Sequence, residues 1–455
     1  MTRVVVLGGG PGGDVAALRA AQLGAEVTLI EEDNVGGTCL NWGCIPTKAL
    51  LAGADLVRKI RHAGDFGIEV SSVSINFARM MERKDGIVER LRRDVEGACA
   101  RKHITLRKEH GTLRDGMVEV GGERIGYDQL IVSTGTRAAG LPTFDMSHPR
   151  VITSDGALQL KELPSNLVIV GGGVIGCEFA SLFASLGSKV TVIEVMDELL
   201  LGIDRKVAAF FRSLLEKSGV VCHLGRKVES VREYRDDGMT LVLDDGTVIE
   251  GDWTLVAVGR TPRTEGIGLR EAGVALTPRG HVEVDGYLHT ANPAIWGAGD
   301  CIGGLQLAHL ASAEGARAAE NALGHFVREM DRSVVPATVY THPEIATVGL
   351  NEEMAKAQGH TVKIAQARFV GSGKALGEGE SDGYVKLVAD RESDLLLGAT
   401  IIGPHAVESI HEIAVALSDS LTMDDLGSVI HAHPTVSEMV MDAAQHGSGV
   451  APYLS

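Results

Sequence analysis

Aromatic residues are scarce: Phe, Tyr and Trp together make up 4% of the 455 residues. So few rings exclude a surface built from stacking platforms for single-stranded nucleic acid. Positive charge is also in deficit. The 43 Lys and Arg stand against 60 Asp and Glu, a formal net charge of −17, which argues against a nucleic-acid backbone as the main partner. No apolar run approaches the ~18 residues needed to cross a bilayer. MTRVVVLGGG opens directly on a strand, without a basic-then-apolar leader. No membrane partner and a cytoplasmic location are therefore expected. Cysteine is too sparse for a disulfide scaffold, with 6 in the chain: Cys39, Cys44, Cys99, Cys177, Cys222 and Cys301. Only Cys39 and Cys44 are close together, and in a reducing compartment such a pair is more often catalytic than structural. Glycine, by contrast, is abundant, with 57 residues where ~7% of a chain is usual. With 44% hydrophobic residues, the length suits roughly three to four globular domains.

The glycines fall into an internal repeat. Residues 4–31 read VVVLGGGPGGDVAALRAAQLGAEVTLIE, and residues 167–194 read LVIVGGGVIGCEFASLFASLGSKVTVIE. Each is a β-branched strand, a G-x-G-x-x-G turn, an amphipathic helix, a second strand and an acid. The turns are Gly8, Gly10, Gly13 and Gly171, Gly173, Gly176; the acids are Glu31 and Glu194. One such turn alone is weak evidence, but the strand–turn–helix–strand–acid context occurs twice, which marks two dinucleotide sites. The turn lets backbone approach a pyrophosphate at a helix N-terminus, and the acid accepts from a ribose. At the second site Glu194 would repel a 2′-phosphate, and the nearest arginine downstream is taken to be Arg205, so NAD is expected over NADP.

Between the repeats, residues 49–101 read mostly as helix and 104–132 as short strands. Residues 220–258 repeat that strand-rich style, and 280–301 read as a strand-rich return. From about 335 the chain alternates strands and then forms helices at 406–418 and 423–430, an α+β domain of its own. The fold class is α/β: two Rossmann-like dinucleotide-binding domains plus a C-terminal α+β domain.

In GGTCLNWGCIPTKALL (36–51), Cys39 and Cys44 are separated by four residues ahead of a helical PTKALL segment. A short irregular turn can bring their Cα atoms within the ~7 Å a disulfide needs. A thiolate beside a helix N-terminus is stabilised by the dipole, and Lys48, one turn on, adds positive charge. The alternative is a pair of inert buried cysteines. In HAHPTVSE (431–438), Pro434 favours an extended His433 and can start a helix, projecting His433 from a fixed turn. Glu438 can accept from one imidazole nitrogen and leave the other as a base. His431 and His433 stand at a spacing that suits a metal pair, yet no third ligand stands at metal spacing, so no metal is expected.

GGTCLNWGCIPTK closely resembles the redox-disulfide signature of the two-cysteine flavoprotein disulfide reductases, the class I pyridine nucleotide-disulfide oxidoreductases. The resemblance runs through GGGPGG, GGGVIGCE, VGRTP, GAGD (297–300), LAHLASAEG (307–315), THPEIATVGL (341–350) and HAHPTVSE. The last block is most similar to the dihydrolipoamide dehydrogenase branch. The resemblance implies an FAD-binding domain at 1–145 completed by 271–333, an NAD-binding domain at 146–270, a central domain at 271–333 and a dimerisation domain at 334–455. It also implies an enzyme that oxidises protein-bound dihydrolipoyl groups through a Cys39–Cys44 disulfide and FAD, passing hydride to NAD. The implied partners are a second copy, making a homodimer, and lipoyl domains with the acyltransferase core of a 2-oxo acid dehydrogenase complex, or the lipoyl protein of the glycine cleavage system.

Carried over position by position, Cys39 is the interchange thiol and Cys44 the thiol nearer the flavin. His433 with Glu438 is the base, reaching the disulfide of the other subunit, and Lys48 pairs with Glu178 beside the flavin. FAD lies on Gly8, Gly10 and Gly13 with its ribose on Glu31. Gly37, Thr38 and Lys48 line the flavin or its phosphates, Gly111 lies near the adenine, Asp300 near the ribityl or phosphate region, and Ala308 and His309 near the flavin. NAD falls to Gly171, Gly173, Gly176, Glu178, Glu194, Val228 and Gly259. Three segments depart from the pattern. Asp14 stands where the family usually carries an uncharged residue, often tyrosine, and should repel a pyrophosphate unless its side chain faces away. STGTRAAG (133–140) and FVGSGKAL (369–376) also differ. The rival readings are a mercuric reductase, which needs a C-terminal cysteine pair that this chain lacks after Cys301, a glutathione-type reductase, and a non-catalytic flavin-binding subunit.

Overall fold

A computed structural model describes residues 1–450. The β-branched run at the N-terminus forms β1 (Arg3–Leu7), followed by α1 (Pro11–Gln22), β2 (Glu26–Glu31), α2 (Gly37–Trp42), α3 (Cys44–Arg61), α4 (Phe77–Arg101), β3 (Thr105–Lys108) and β4 (Gln129–Val132). With a late strand, Ile295–Gly297, they build a parallel sheet in the order 295–297, β4, β1, β2, β3. Val4, Val5 and Val6 are almost fully buried. An uninterrupted apolar run is what a parallel strand covered on both faces requires.

The second repeat folds the same way. It comprises β5 (Asn166–Val170), α5 (Val174–Leu186), β6 (Lys189–Glu194), α6 (Arg205–Lys217), β7 (Val221–Leu224) and β8 (Trp253–Val256). The sheet order is β7, β6, β5, β8, with Val151–Ile152 at its edge. The chain enters and leaves this unit through an antiparallel ribbon in which Thr136–Ala138 pairs with Arg260–Pro262. It then returns to the first unit. Helix α7 (Ala308–Ala322) lies on α1, where a Cβ at Gly315 would overlap the carbonyl of Gly12 and Arg19 pairs with Glu320 at 2.7 Å.

The return between 280 and 301 corrects the strand-rich expectation. Only Ile295–Gly297 is a strand, joined by single bridges such as His289 with Trp296. Asp285 accepts from the N–H groups of Tyr287 and His289, and Asn292 from that of Ala294. These side-chain turns compete with a ladder for the same amides.

The C-terminal unit is an antiparallel sheet of β9 (Ala337–Val339), β10 (Glu344–Gly349), β11 (Val362–Arg368), β12 (Tyr384–Asp390) and β13 (Leu396–Gly403), in the order β9, β10, β13, β12, β11. Helices α8 (Ala406–Ser418), α9 (Met423–Ser428) and α10 (Glu438–Ser448) share one apolar core with the sheet. Lys386 on β12 is 1% exposed and reaches out of this unit. Its ammonium pairs with Asp204, the N-cap of α6, at 2.6 Å and with Glu352 at 2.9 Å. The departing segment 369–376 is a single turn, then a short helix capped by Ser372, whose hydroxyl accepts from the N–H of Ala375.

Among the described residues, no helix is long and apolar enough to cross a membrane.

Candidate active site

The two glycine turns are superposable in their contacts. Gly8 N–H donates to the Ile30 carbonyl at 2.8 Å, and Gly171 N–H to that of Ile193 at 2.8 Å. A Cβ on Gly13 would overlap the Gly8 oxygen, and one on Gly176 the Gly171 oxygen. The third glycine therefore sits beneath each turn, and in neither copy does it line the cleft. The acids act first on the backbone. Glu31 accepts from Gly9 N–H at 2.7 Å and Asp33 N–H at 2.8 Å. Glu194 accepts from Gly172 N–H at 2.5 Å and Met196 N–H at 2.7 Å. Each carboxylate is fixed in place by two backbone amides, and both residues line one cleft.

That cleft holds about 1120 Å³ and runs from the first turn to the second. Gly8, Gly10, Glu31, Gly37, Thr38, Asp300, Ala308 and His309 line one end, and Gly171, Gly173, Glu178, Glu194, Val228 and Gly259 the other. The buried hydroxyl of Thr134, also in the wall, has no partner among the described residues. A cradle that side chains would fill, two helix N-termini and an orphaned hydroxyl suit two dinucleotides. Gly111 is the exception. It is buried against Leu7, Ile30 and Val118, behind the wall, so its small size serves sheet packing.

Cys39 and Cys44 come from α2 and α3, so two short helical starts replace the expected irregular turn. Asn41 makes the bend: its amide donates to the carbonyls of Val35 at 3.0 Å and Gly37 at 2.9 Å, while Arg92 of α4 donates to its oxygen at 2.9 Å. Cys44 is the first residue of α3, where the helix dipole favours negative charge. Both cysteines are free thiols that line the cleft. A hydrogen bond from Cys39 and the charge of Lys48 outweigh burial and bring the Cys44 thiol down to about 7. The same contact, with burial, pushes Cys39 up. Lys48 Nζ donates to both oxygens of Glu178 at 2.8 Å, and Glu178 is 4% exposed.

His433 and Glu438 lie elsewhere. Neither lines the cleft, and the His433 side chain is 82% exposed. Its Nδ1 meets Glu438 Oε1 at 2.9 Å, and Thr435 N–H donates to Glu438 Oε2 at 2.7 Å. Although burial opposes it, the Thr435 amide and His433 hold the Glu438 carboxyl below its ordinary value. Pro434 does not start the helix. The His433–Pro434 bond is cis, and α10 begins at Glu438.

Three further placements bear on the sequence reading, and the first corrects it. Arg205 is bound to Asp197 at 2.5 Å, and the arginine nearest Glu194 is Arg226, whose N–H donates to the Glu194 carbonyl at 3.0 Å. Arg226 lines the cleft, yet its guanidinium is held by Asp245 at 2.7 Å. Asp14 faces away from the turn. Its carboxyl is buried near Cys99 of α4, with Oδ1 unpartnered among the described residues, and burial pushes it up to about 7. Finally, Asp55, His342 and Glu380 bring possible ligand atoms within 4.8 Å, but Arg58 bonds both carboxylates.

Asp14 carries a pH prediction. Folding raises its affinity for a proton, so its contribution is complete below the ordinary carboxylate range. It is lost as pH climbs from about 4 to 7, because the unfolded chain ionises first. Wild type minus Asp14→Asn stability should fall by ~1–3 kcal/mol across that window and level off above pH 7. Urea melts at several pH values check it, and a flat difference would refute the assignment.

Two residues of the site escaped sequence analysis. Arg260, within VGRTP, donates to Thr136 Oγ1 at 2.7 Å, and Thr136 donates on to Asp300 at 2.8 Å. Tyr340, beside THPEIATVGL, donates its N–H to Glu178 Oε1 at 3.0 Å. Both were inside or next to quoted motifs, but nothing in their spacing says where they fold.

Residues 2–315 match the family model for pyridine nucleotide-disulphide oxidoreductases, and residues 335–444 match that family's dimerisation domain. The chain belongs to the pyridine nucleotide-disulphide oxidoreductase family, whose cofactors are FAD and NAD. Within it, the chain is 42% identical over 446 residues to a dihydrolipoyl dehydrogenase of Chlamydia muridarum, covering 97% of this chain and 95% of that one. It is 41% identical over 466 residues to one of Bacillus subtilis, covering 98% of each. Among solved structures, LpdA from Mycobacterium tuberculosis matches with TM-score 0.91 at 29% identity, over 98% of this chain and 99% of that one. RclA, an HOCl-induced flavoprotein disulfide reductase from Escherichia coli, matches with TM-score 0.89 at 30% identity, over 97% and 99%.

Proposed function

We propose that this chain is a dihydrolipoyl dehydrogenase that oxidises dihydrolipoyl groups through a Cys39–Cys44 redox disulfide. The observation that carries the reading is the junction of Cys39, Cys44, Lys48 and Glu178 between the two dinucleotide cradles. Residues 1–145 with 271–333 hold FAD, 146–270 hold NAD, and 334–455, of which 451–455 lie outside the described residues, form the interface of a homodimer.

In turnover His433, with Nδ1 held by Glu438, takes a proton at Nε2 from one dihydrolipoyl thiol. The thiolate attacks Cys39 Sγ, the Cys39–Cys44 bond breaks, and Cys44 leaves as a thiolate. The α3 N-terminus and Lys48 stabilise that charge. The second dihydrolipoyl thiol then attacks the lipoyl sulfur of the mixed disulfide, closing the lipoyl ring and breaking its bond to Cys39; the attacking thiol's proton passes to the departing Cys39 sulfur, while His433 keeps the first proton until it is lost to solvent. FAD supplies two-electron transfer from the dithiol to NAD. The partners are lipoyl domains on the acyltransferase core of a 2-oxo acid dehydrogenase complex, or the lipoyl protein of glycine cleavage, in the cytoplasm.

Steady-state assay with dihydrolipoamide and NAD, against glutathione disulfide and NADPH, tests this reading. Turnover only with the second pair would overturn it. The likeness to RclA supports a second reading, a disulfide reductase acting on another oxidised sulfur compound, which would show poor dihydrolipoamide turnover but intact NADH oxidation. Nucleotide choice should follow Glu194. With Arg226 occupied by Asp245, NAD should beat NADP in kcat/KM by at least about tenfold, ~1.4 kcal/mol, and Glu194→Ala should narrow the gap.

A further inference from the structure

The chain crosses back over the cleft at residues 337–340, as it enters the C-terminal unit. Tyr340 there touches both halves of the buried ion pair. Its N–H donates to Glu178 Oε1 at 3.0 Å, and its ring centre lies 4.5 Å from Lys48 Nζ. The ammonium thus has a carboxylate on one side and a π face on the other, within cation–π range.

The groups facing Cys44 are Cys39 from α2, Lys48 from its own helix and Glu178 from α5. Lys48 favours the thiolate and Glu178 opposes it. Their balance depends on where the ammonium sits, and a lysine stem with four rotatable bonds does not hold a position by itself. We propose that Tyr340 is a positioning residue: its ring, together with its amide on Glu178, pins the Lys48 ammonium and so sets the thiolate character of Cys44. Tyr340 enters from the edge of the C-terminal unit, so the seating of that unit is felt at the thiol pair. The inference rests on the redox-pair reading, but not on which disulfide or dithiol is the substrate.

The test compares Tyr340→Phe, Tyr340→Leu and trifluorophenylalanine incorporated at position 340. Each holoenzyme is reduced with dithiothreitol, freed of excess reductant without air, and alkylated with iodoacetamide across a pH series. Peptide mapping follows Cys44 apart from Cys39. Phe keeps the π face and should keep the wild-type midpoint. Leu should raise the midpoint for Cys44 by about 0.5–1 pH unit. The fluorinated ring, similar in shape but weakened in its π charge, should shift it in the same direction without lowering the melting temperature. It decides the matter alone if the Leu variant fails to fold. An unchanged midpoint with the fluorinated ring, or a Phe variant as shifted as Leu, would overturn the proposal. A shifted midpoint in an enzyme that does not turn over dihydrolipoamide would instead count against the substrate assignment.

Discussion

Cys39→Ser removes dihydrolipoamide turnover by at least about 10³-fold, while NADH still reduces an artificial electron acceptor through the flavin. The two activities separate because they use different ends of the site. Dithiol exchange needs a sulfur at position 39 to form the mixed disulfide, and a serine oxygen cannot take that part. In the proposed reading nucleotide oxidation uses the second cradle, with Gly171, Gly173 and Glu194, and the Lys48–Glu178 pair, none of which touches Cys39 by hydrogen bond. The fold should tolerate the change, since α2 is held by Asn41 and not by the thiol. The measurement is paired kinetics on one preparation, with bound flavin counted by absorbance. A folded Cys39→Ser protein that has lost its FAD, or one that still oxidises dihydrolipoamide, sinks the assignment.

Mixing Cys39→Ser with His433→Gln chains restores activity that neither parent homodimer has. In a single chain the proposed base is not at the thiols: His433 is 82% exposed and outside the cleft that holds Cys39 and Cys44. Its ring is nevertheless prepared, with Nδ1 on Glu438 and Glu438 on the Thr435 amide. If His433 reaches the thiols of the partner copy, two-fold symmetry makes the same face serve both copies, and each dimer then has two composite sites. In the mixed dimer one site carries both intact halves and the other carries both lesions. Activity should return to roughly half that of a wild-type dimer, in proportion to the mixed species. Mixed dimers confirmed by mass and still inactive would place base and disulfide on one chain.

Much of this molecule was legible in its sequence because the signals are local. A strand, a glycine turn and an acid at a fixed interval need only neighbouring residues to be read, and the Glu31 and Glu194 contacts repeat almost atom for atom. Cys44 and Lys48, one helical turn apart, were readable for the same reason. What was missed is non-local. Arg226 lies far from Glu194 in sequence and reaches it across neighbouring strands β6 and β7, while the nearer Arg205 is diverted to Asp197. Asp14 is one residue past a turn, yet α4, whose Cys99 neighbours its carboxyl, decides which way that side chain goes. The 280–301 stretch alternates like a strand, but Asp285 and Asn292 spend its amides in turns. Tyr340 belongs to a third unit and meets Lys48 only through the tertiary fold.

Lys386 has a bearing on how the protein comes apart. A lysine 1% exposed in one unit's sheet, bound to the N-cap of a helix in another, cannot be exposed without stranding Asp204 and its own charge. Local opening that peels the C-terminal sheet away must break that contact, and it leaves the N-cap of α6, whose other oxygen accepts from the Lys206 and Val207 amides, without its buried counter-ion. In native-state hydrogen exchange, the amides of β12 and of the first turn of α6 then belong to one cooperative block.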